Sequence, residues 1–249
     1  MFENEIRVET LDGVMTTFVA HPDGDGPFPV AVLYMDGVGY RDQVKENARR
    51  FAAGGYYVVA PDLFYRSGAQ LTFDWSATDE VSRERMMAAI RSLSPEKVRA
   101  DTEAALASIA GDPAAAAEGP MVTVGYCMGA RYALHAAAGE GFVAAAGIHP
   151  GALATDAPDS PHLDLASVRG EVYFAFAEID RSATPELIDR FREEVERQGV
   201  RGQVERIPGV THGFAMADLP VYDPGAAERQ FERVLELWRR NLTVEPVEG

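Results

Sequence analysis

Cysteine occurs once in the 249 residues, as Cys127, so no intramolecular disulfide contributes to stability. Metal-ligand spacings such as C-x-x-C and H-E-x-x-H do not occur, and neither does a G-x-G-x-x-G or Walker sequence. The sequence therefore gives no reason to expect a metal or any other cofactor. Basic residues are scarce, with 23 Lys and Arg against 39 Asp and Glu and a formal net charge of −16. Phosphate binding needs a basic face, so nucleic acid and anionic membrane are excluded as expected partners. No apolar run approaches the ~20 residues that a spanning helix needs. The start, Met1 to Glu5, lacks the basic and apolar regions of a secretory signal, which makes the cytoplasm the expected compartment. Composition breaks and internal repeats are also missing. At 47% hydrophobic residues, the chain reads as one domain over 1–249, with 243–249 as a flexible acidic tail.

What is present alternates between two periods. Residues 5–10 and 14–20 read as strands joined by Leu11-Asp12-Gly13, and 29–35 is a continuous apolar run of the kind a buried parallel strand shows. A helix over 43–53 stops at Gly54-Gly55, and a strand over 56–60 precedes an irregular stretch from 66 to 77. Helices follow over 81–93 and 95–109, the second with Ser94 as cap and Pro95 in its first turn. Then come a strand at 121–124, a helix to 138, a strand over 143–149, and the units 171–177, 185–198, 203–208 and 226–240. This βαβα order predicts an α/β fold whose mostly parallel sheet carries helices on both faces. Ligands of such sheets bind outside the carboxyl ends of the strands, where Asp36, Cys127, Asp180 and His212 all fall.

Gly125-Tyr126-Cys127-Met128-Gly129 carries the chemistry. It lies between a strand and a helix, the setting in which α/β-hydrolases hold a nucleophile on a tight turn, here with Cys in place of Ser. An acid and then a histidine should follow in chain order. Asp180 ends the run from Phe174, with Glu178 and Asp189 as competitors, and His212 follows the strand ending near Ile207. Cysteine attacks as thiolate, the imidazole accepts or shares its proton, and a carboxylate fixes the imidazole tautomer. The remaining histidines, His21, His135, His149 and His162, lack such a setting. His149 ends a strand beside the nucleophile strand and reads as a hydrogen-bonded structural residue, with pocket lining as the alternative.

With these motifs in register, the chain resembles the dienelactone hydrolase family, the cysteine-dependent branch of the α/β-hydrolases. The resemblance rests on Gly125 to Gly129, on Asp180 with Pro185 after it, on His212-Gly213-Phe214, and on Gly54-Gly55-Tyr56-Tyr57-Val58-Val59-Ala60-Pro61-Asp62-Leu63. It runs from about Glu5 to Trp238. It implies a cofactor-free hydrolase of small esters or lactones, with dienelactone (carboxymethylenebutenolide) first among substrates and a monomer or small homo-oligomer as the assembly. It favours Asp180 as the acid, and it implies an oxyanion hole made by the backbone amides of Met128 and Gly37.

Two positions depart from the family pattern. Asp36 stands where the family has a Glu that holds the resting thiol. The side chain is one methylene shorter, so Asp36 reads equally as a thiol partner or as a loop carboxylate that caps the following helix. The family grips a substrate carboxylate with two arginines; Arg83 matches one, with Arg85 as runner-up, while Met216 occupies the place of the other. Tyr40, Tyr126, Phe214 and Met216 then form the expected pocket, suited to a less acidic or more apolar substrate. A non-catalytic binding or thiol redox-sensing module on the same fold is the rival reading.

Overall fold

In the computed structural model, residues 1–76 and 79–242 are described; the proposed tail, 243–249, lies outside them. Eight strands form one sheet: β1 (Phe2–Thr10), β2 (Gly13–His21), β3 (Val30–Tyr34), β4 (Tyr57–Pro61), β5 (Met121–Tyr126), β6 (Phe142–Ile148), β7 (Glu171–Ile179) and β8 (Gly202–Thr211). Their spatial order is β1-β2-β4-β3-β5-β6-β7-β8. The β1/β2 hairpin and the β2/β4 contact are antiparallel, and every pair from β4 to β8 is parallel. This is the predicted α/β architecture.

Among the described residues, six helices cover the sheet: α1 (Asp42–Ala53), α2 (Glu80–Arg91), α3 (Pro95–Ile109), α4 (Gly129–Ala137), α5 (Pro185–Arg197) and α6 (Pro224–Leu242). A short 3₁₀ segment at Pro161–Ser167 has no counterpart in the sequence reading, because one or two turns leave too few residues to show a period. In α1 the buried residues Val44, Asn47, Ala48, Phe51 and Ala52 form one stripe, and the helix stops where Gly55 turns to a φ of 105°. Ser94 caps α3 by accepting the Lys97 amide at 3.3 Å. None of the described helices is long and apolar enough to cross a membrane.

Strand alternation assigns the faces. Along β7, Tyr173, Ala175 and Ala177 join the cluster that holds Phe51 of α1 and Trp238 of α6. Val172, Phe174 and Phe176 join the cluster that holds Ile188 and Phe191 of α5. With period 2, each strand feeds two cores, which is why β3 and β4 are apolar at every position. The central strands are thus buried on both sides, while the edge strands β1 and β8 are largely exposed.

Candidate active site

The turn after β5 imposes the geometry of Cys127. Its φ is 52°, a left-handed conformation that costs a non-glycine residue energy and persists only where its surroundings fix it. The Cys127 amide donates to the Ile148 carbonyl at 3.0 Å, tying the turn to β6. The flanking glycines permit the tight path. A Cβ on Gly125 would lie 2.1 Å from the Gly129 carbonyl oxygen, and one on Gly129 would lie 2.5 Å from that of Met35. The sulfur is thereby raised over the sheet edge at the start of α4.

Two loops further along the sheet meet it there. His212 follows β8, and its Nε2 lies 3.0 Å from Cys127 Sγ. On the other side of the ring, Nδ1 lies 2.6 Å from Asp180 Oδ2, at the end of β7. The second Asp180 oxygen accepts both the Ser182 amide (2.7 Å) and the Ser182 hydroxyl (2.6 Å), so the carboxylate cannot swing away. Of the competing acids, Glu178 accepts the Gly209 amide at 2.8 Å, and Asp189 pairs with Arg192 on α5.

Charge in this row is strongly coupled. Burial disfavours a charged His212 ring, but the charge of the Cys127 sulfur and the hydrogen bonds to Asp180 and Cys127 outweigh it, and its pKa is pushed up to about 10. Burial likewise works against the Asp180 carboxylate, yet His212 and Ser182 hold its pKa below the ordinary value. The site therefore favours an imidazolium at His212, oriented by a carboxylate.

A small cavity of about 10 Å³ opens over the sulfur. Its wall comprises Asp36, Gly37, Val38, Trp75, Cys127, His149, His212, Gly213 and Leu219. The structure thus brings Cys127, Asp180, His212, Asp36 and Gly37 together. Met128, next to the nucleophile, caps the start of α4 through its backbone.

Asp36 differs from its expected pairing with the thiol. Its carboxylate accepts the Val38 amide at 3.0 Å and both terminal nitrogens of Arg41, at 2.6 and 3.0 Å. Among the described residues no hydrogen bond joins it to Cys127. It is a loop carboxylate, but it caps its own turn and an arginine rather than the following helix. Arg41 Nη2 also donates to Asp218 at 3.0 Å, so one guanidinium ties the loop after β3 to the loop after β8.

The expected substrate residues are dispersed. Tyr40 donates to Glu5 at 3.0 Å from a buried position, and Met216, fully buried, accepts Asn47 Nδ2 at 3.6 Å. Phe214 and Tyr126 are core residues that back His149, with ring centroids 5.5 and 5.8 Å from it. Arg83 is exposed on α2. None of the five is on the cavity wall. The side chains of 214 and 216 turn inward because the chain after His212 makes successive tight turns, Phe214 to Thr211 and Met216 to Gly213.

Sequence reasoning did not assign Val38, Trp75, Gly213 or Leu219 to the wall. Trp75, 37% exposed, stacks on His212 with the rings 11° from parallel and 6.4 Å apart. Leu219 also lines the cavity. An exposed Trp in an irregular segment was the available signal for Trp75. The Trp75 segment is pinned to the wall, since the Phe73 amide donates to the Val38 carbonyl at 2.8 Å. His149 lines the cavity, as the alternative had it, but its ring nitrogens have no hydrogen-bond partner among the described residues.

Comparison with known proteins bears on the family and the fold. The model of the dienelactone hydrolase family matches residues 15–242. A carboxymethylenebutenolidase of Pseudomonas sp. (strain P51) is 27% identical over 222 residues, which span 86% of each chain. The fold is shared with the dienelactone hydrolase of Anabaena variabilis (TM-score 0.68, 16% identity, 97% of this chain and 99% of that one). It is shared equally with a dienelactone hydrolase-like promiscuous phosphotriesterase from metagenomic libraries (TM-score 0.78, 22% identity, 97% and 99%).

Proposed function

This chain belongs to the dienelactone hydrolase family and is a carboxylic ester or lactone hydrolase, and from that premise we propose that it works through Cys127, His212 and Asp180. The observation that carries the reading is the unbroken row from sulfur to imidazole to carboxylate, with contacts of 3.0 and 2.6 Å. Cys127 Sγ attacks the substrate carbonyl, and the amides of Met128 and Gly37 receive the developing oxyanion. Protonated His212 gives its proton to the leaving oxygen as the C–O bond breaks, which leaves a thioester on Cys127. Water then attacks the thioester carbonyl and passes a proton to His212. The C–S bond breaks, the acid departs, and the sulfur–imidazole pair is restored. Asp180 keeps the Nδ1 proton in place and stabilises the ring while it is charged.

The substrate is a small ester or lactone. Carboxymethylenebutenolide, the compound in the Pseudomonas relative's name, is the first to test. The cavity wall contains no Lys or Arg. Arg41, on the loop after β3, is shared between Asp36 and Asp218. A substrate carboxylate would find no bidentate partner there, which favours a neutral ester or lactone. No observation favours a non-catalytic binding or redox module. The cytoplasm and a monomer or small homo-oligomer remain the expected setting.

The test compares kcat/KM for dienelactone with that for a neutral lactone of similar size. The reading predicts a preference for the neutral lactone, and a preference for dienelactone would overturn the neutral-substrate assignment.

A further inference from the structure

His149 directly follows β6 with a φ of 40°, held there because its amide donates to the Ala175 carbonyl of β7 at 2.8 Å. The backbone strain aims a fully buried imidazole at the site. Neither ring nitrogen has a hydrogen-bond partner among the described residues. The other four histidines all have one: His21 pairs with the Pro22 carbonyl, His135 with Asp164, His162 with Ser160 and His212 with Asp180. A buried polar group without a partner is costly, and natural proteins keep one mainly where it has work to do.

The ring's surroundings indicate what that work is. Tyr126 and Phe214 back it with apolar surface, and the His212 ring lies edge-on to it at 5.3 Å. It shares the wall of the 10 Å³ cavity with Cys127 and His212. Burial, and then the charge of His212, keep its pKa well below the ordinary value, so the ring is neutral and has one N–H and one lone pair.

We propose that His149 holds the hydrolytic water of the second half-reaction, accepting one of its hydrogen bonds while His212 takes the proton of the other O–H. This rests on the reading of Cys127 as nucleophile. Once the sulfur is acylated, His212 Nε2 is released to act as base. A water bound to two imidazoles has both O–H bonds committed, which leaves an oxygen lone pair for the thioester carbonyl. The C–O bond forms as the proton moves to His212. The C–S bond then breaks, and the carboxylic acid leaves with the original sulfur–imidazole pair restored. A neutral second imidazole suits this role because an imidazolium has no lone pair to offer.

The inference predicts that His149 serves deacylation and not acylation. Rapid mixing with p-nitrophenyl acetate resolves the two in wild type, His149→Phe and His149→Asn. In the Phe variant the p-nitrophenolate burst should stay within about threefold of wild type, while steady-state turnover falls at least about tenfold, the lower part of the range for a positioned acid–base group. Intact mass should show an acetyl group accumulating on Cys127. The Asn variant keeps an acceptor and tolerates a positive φ, and should recover most of the turnover. If the Phe variant does not fold, His149→Leu should show the same split. Burst and steady state falling together, or neither changing, would overturn the role. An acetylated species absent even from wild type, with activity surviving Cys127→Ala, would instead count against the nucleophile.

Discussion

Arg41 grips the Asp36 carboxylate with both terminal nitrogens, at 2.6 and 3.0 Å, and the two side chains are 11% and 3% exposed. The same guanidinium reaches Asp218, so it braces the two loops that meet over the sulfur. A carboxylate held this way is unavailable to the thiol, whose hydrogen-bond partner is His212.

Removing one side of that buried pair should therefore cost more than removing both. Arg41→Met leaves a desolvated carboxylate unpaired and should lose about 3–5 kcal/mol of stability. The double variant Arg41→Met with Asp36→Asn should regain part of that loss. Urea unfolding of the three variants measures the difference. Equal losses for the single and double variants would contradict the bracing role.

The His212 ring carries its proton well past neutral pH because the sulfur charge and Asp180 outweigh burial. Its raised pKa means the ring is protonated below about 10 and neutral above. Cys127→Ala removes the raising influence of the sulfur and keeps the burial that opposes it, so the titration should move down by at least about one unit. Proton NMR of the His212 ring follows this. An unchanged midpoint would show that the sulfur is not its partner.

Asp180→Asn keeps the size of the side chain but can present an N–H to Nδ1, which favours the wrong tautomer. Ester turnover should fall by about 100-fold or more, with little change in melting temperature, since Ser182 still has an oxygen to bond. Activity assays beside thermal melts check this. A variant that melts early and loses activity in proportion would assign Asp180 a structural role only.

Trp75 lies flat against His212 and walls a cavity too small for a substrate. Trp75→Ala should open the sulfur, so that iodoacetamide inactivates the enzyme about threefold faster or more; the size of the effect follows from local opening, which governs access. Inactivation kinetics at fixed pH decide it. A rate equal to wild type would mean that entry runs elsewhere.

Much of this was legible in the sequence, for identifiable reasons. The helices showed their period and the buried strands showed as short apolar runs, so the element order and the sheet class followed, and ends moved by only one to three residues. Cys127 and His212 stood out through a tight turn and a strand end, whereas Asp180 was preferred to Glu178 and Asp189 through the family resemblance. Tyr40 and Met216 were misplaced because a side chain in a loop points wherever backbone turns send it, and no period encodes that direction. Arg41 was missed for a related reason. Its partners lie 5 and 177 residues away, and the longer pairing exists only once β3 and β8 bring their loops together. His149 was visible as a strand-end residue, but that its nitrogens lack partners is a property of packing alone.

The central claim is that Cys127 is the nucleophile, and the most direct measurement is the rate of p-nitrophenyl acetate hydrolysis by Cys127→Ala beside wild type, with folding verified by circular dichroism. Loss of the attacking group should lower turnover by about 1,000-fold or more, leaving only what the oxyanion donors and binding supply. A folded Cys127→Ala protein that hydrolyses the ester at the wild-type rate would contradict the account.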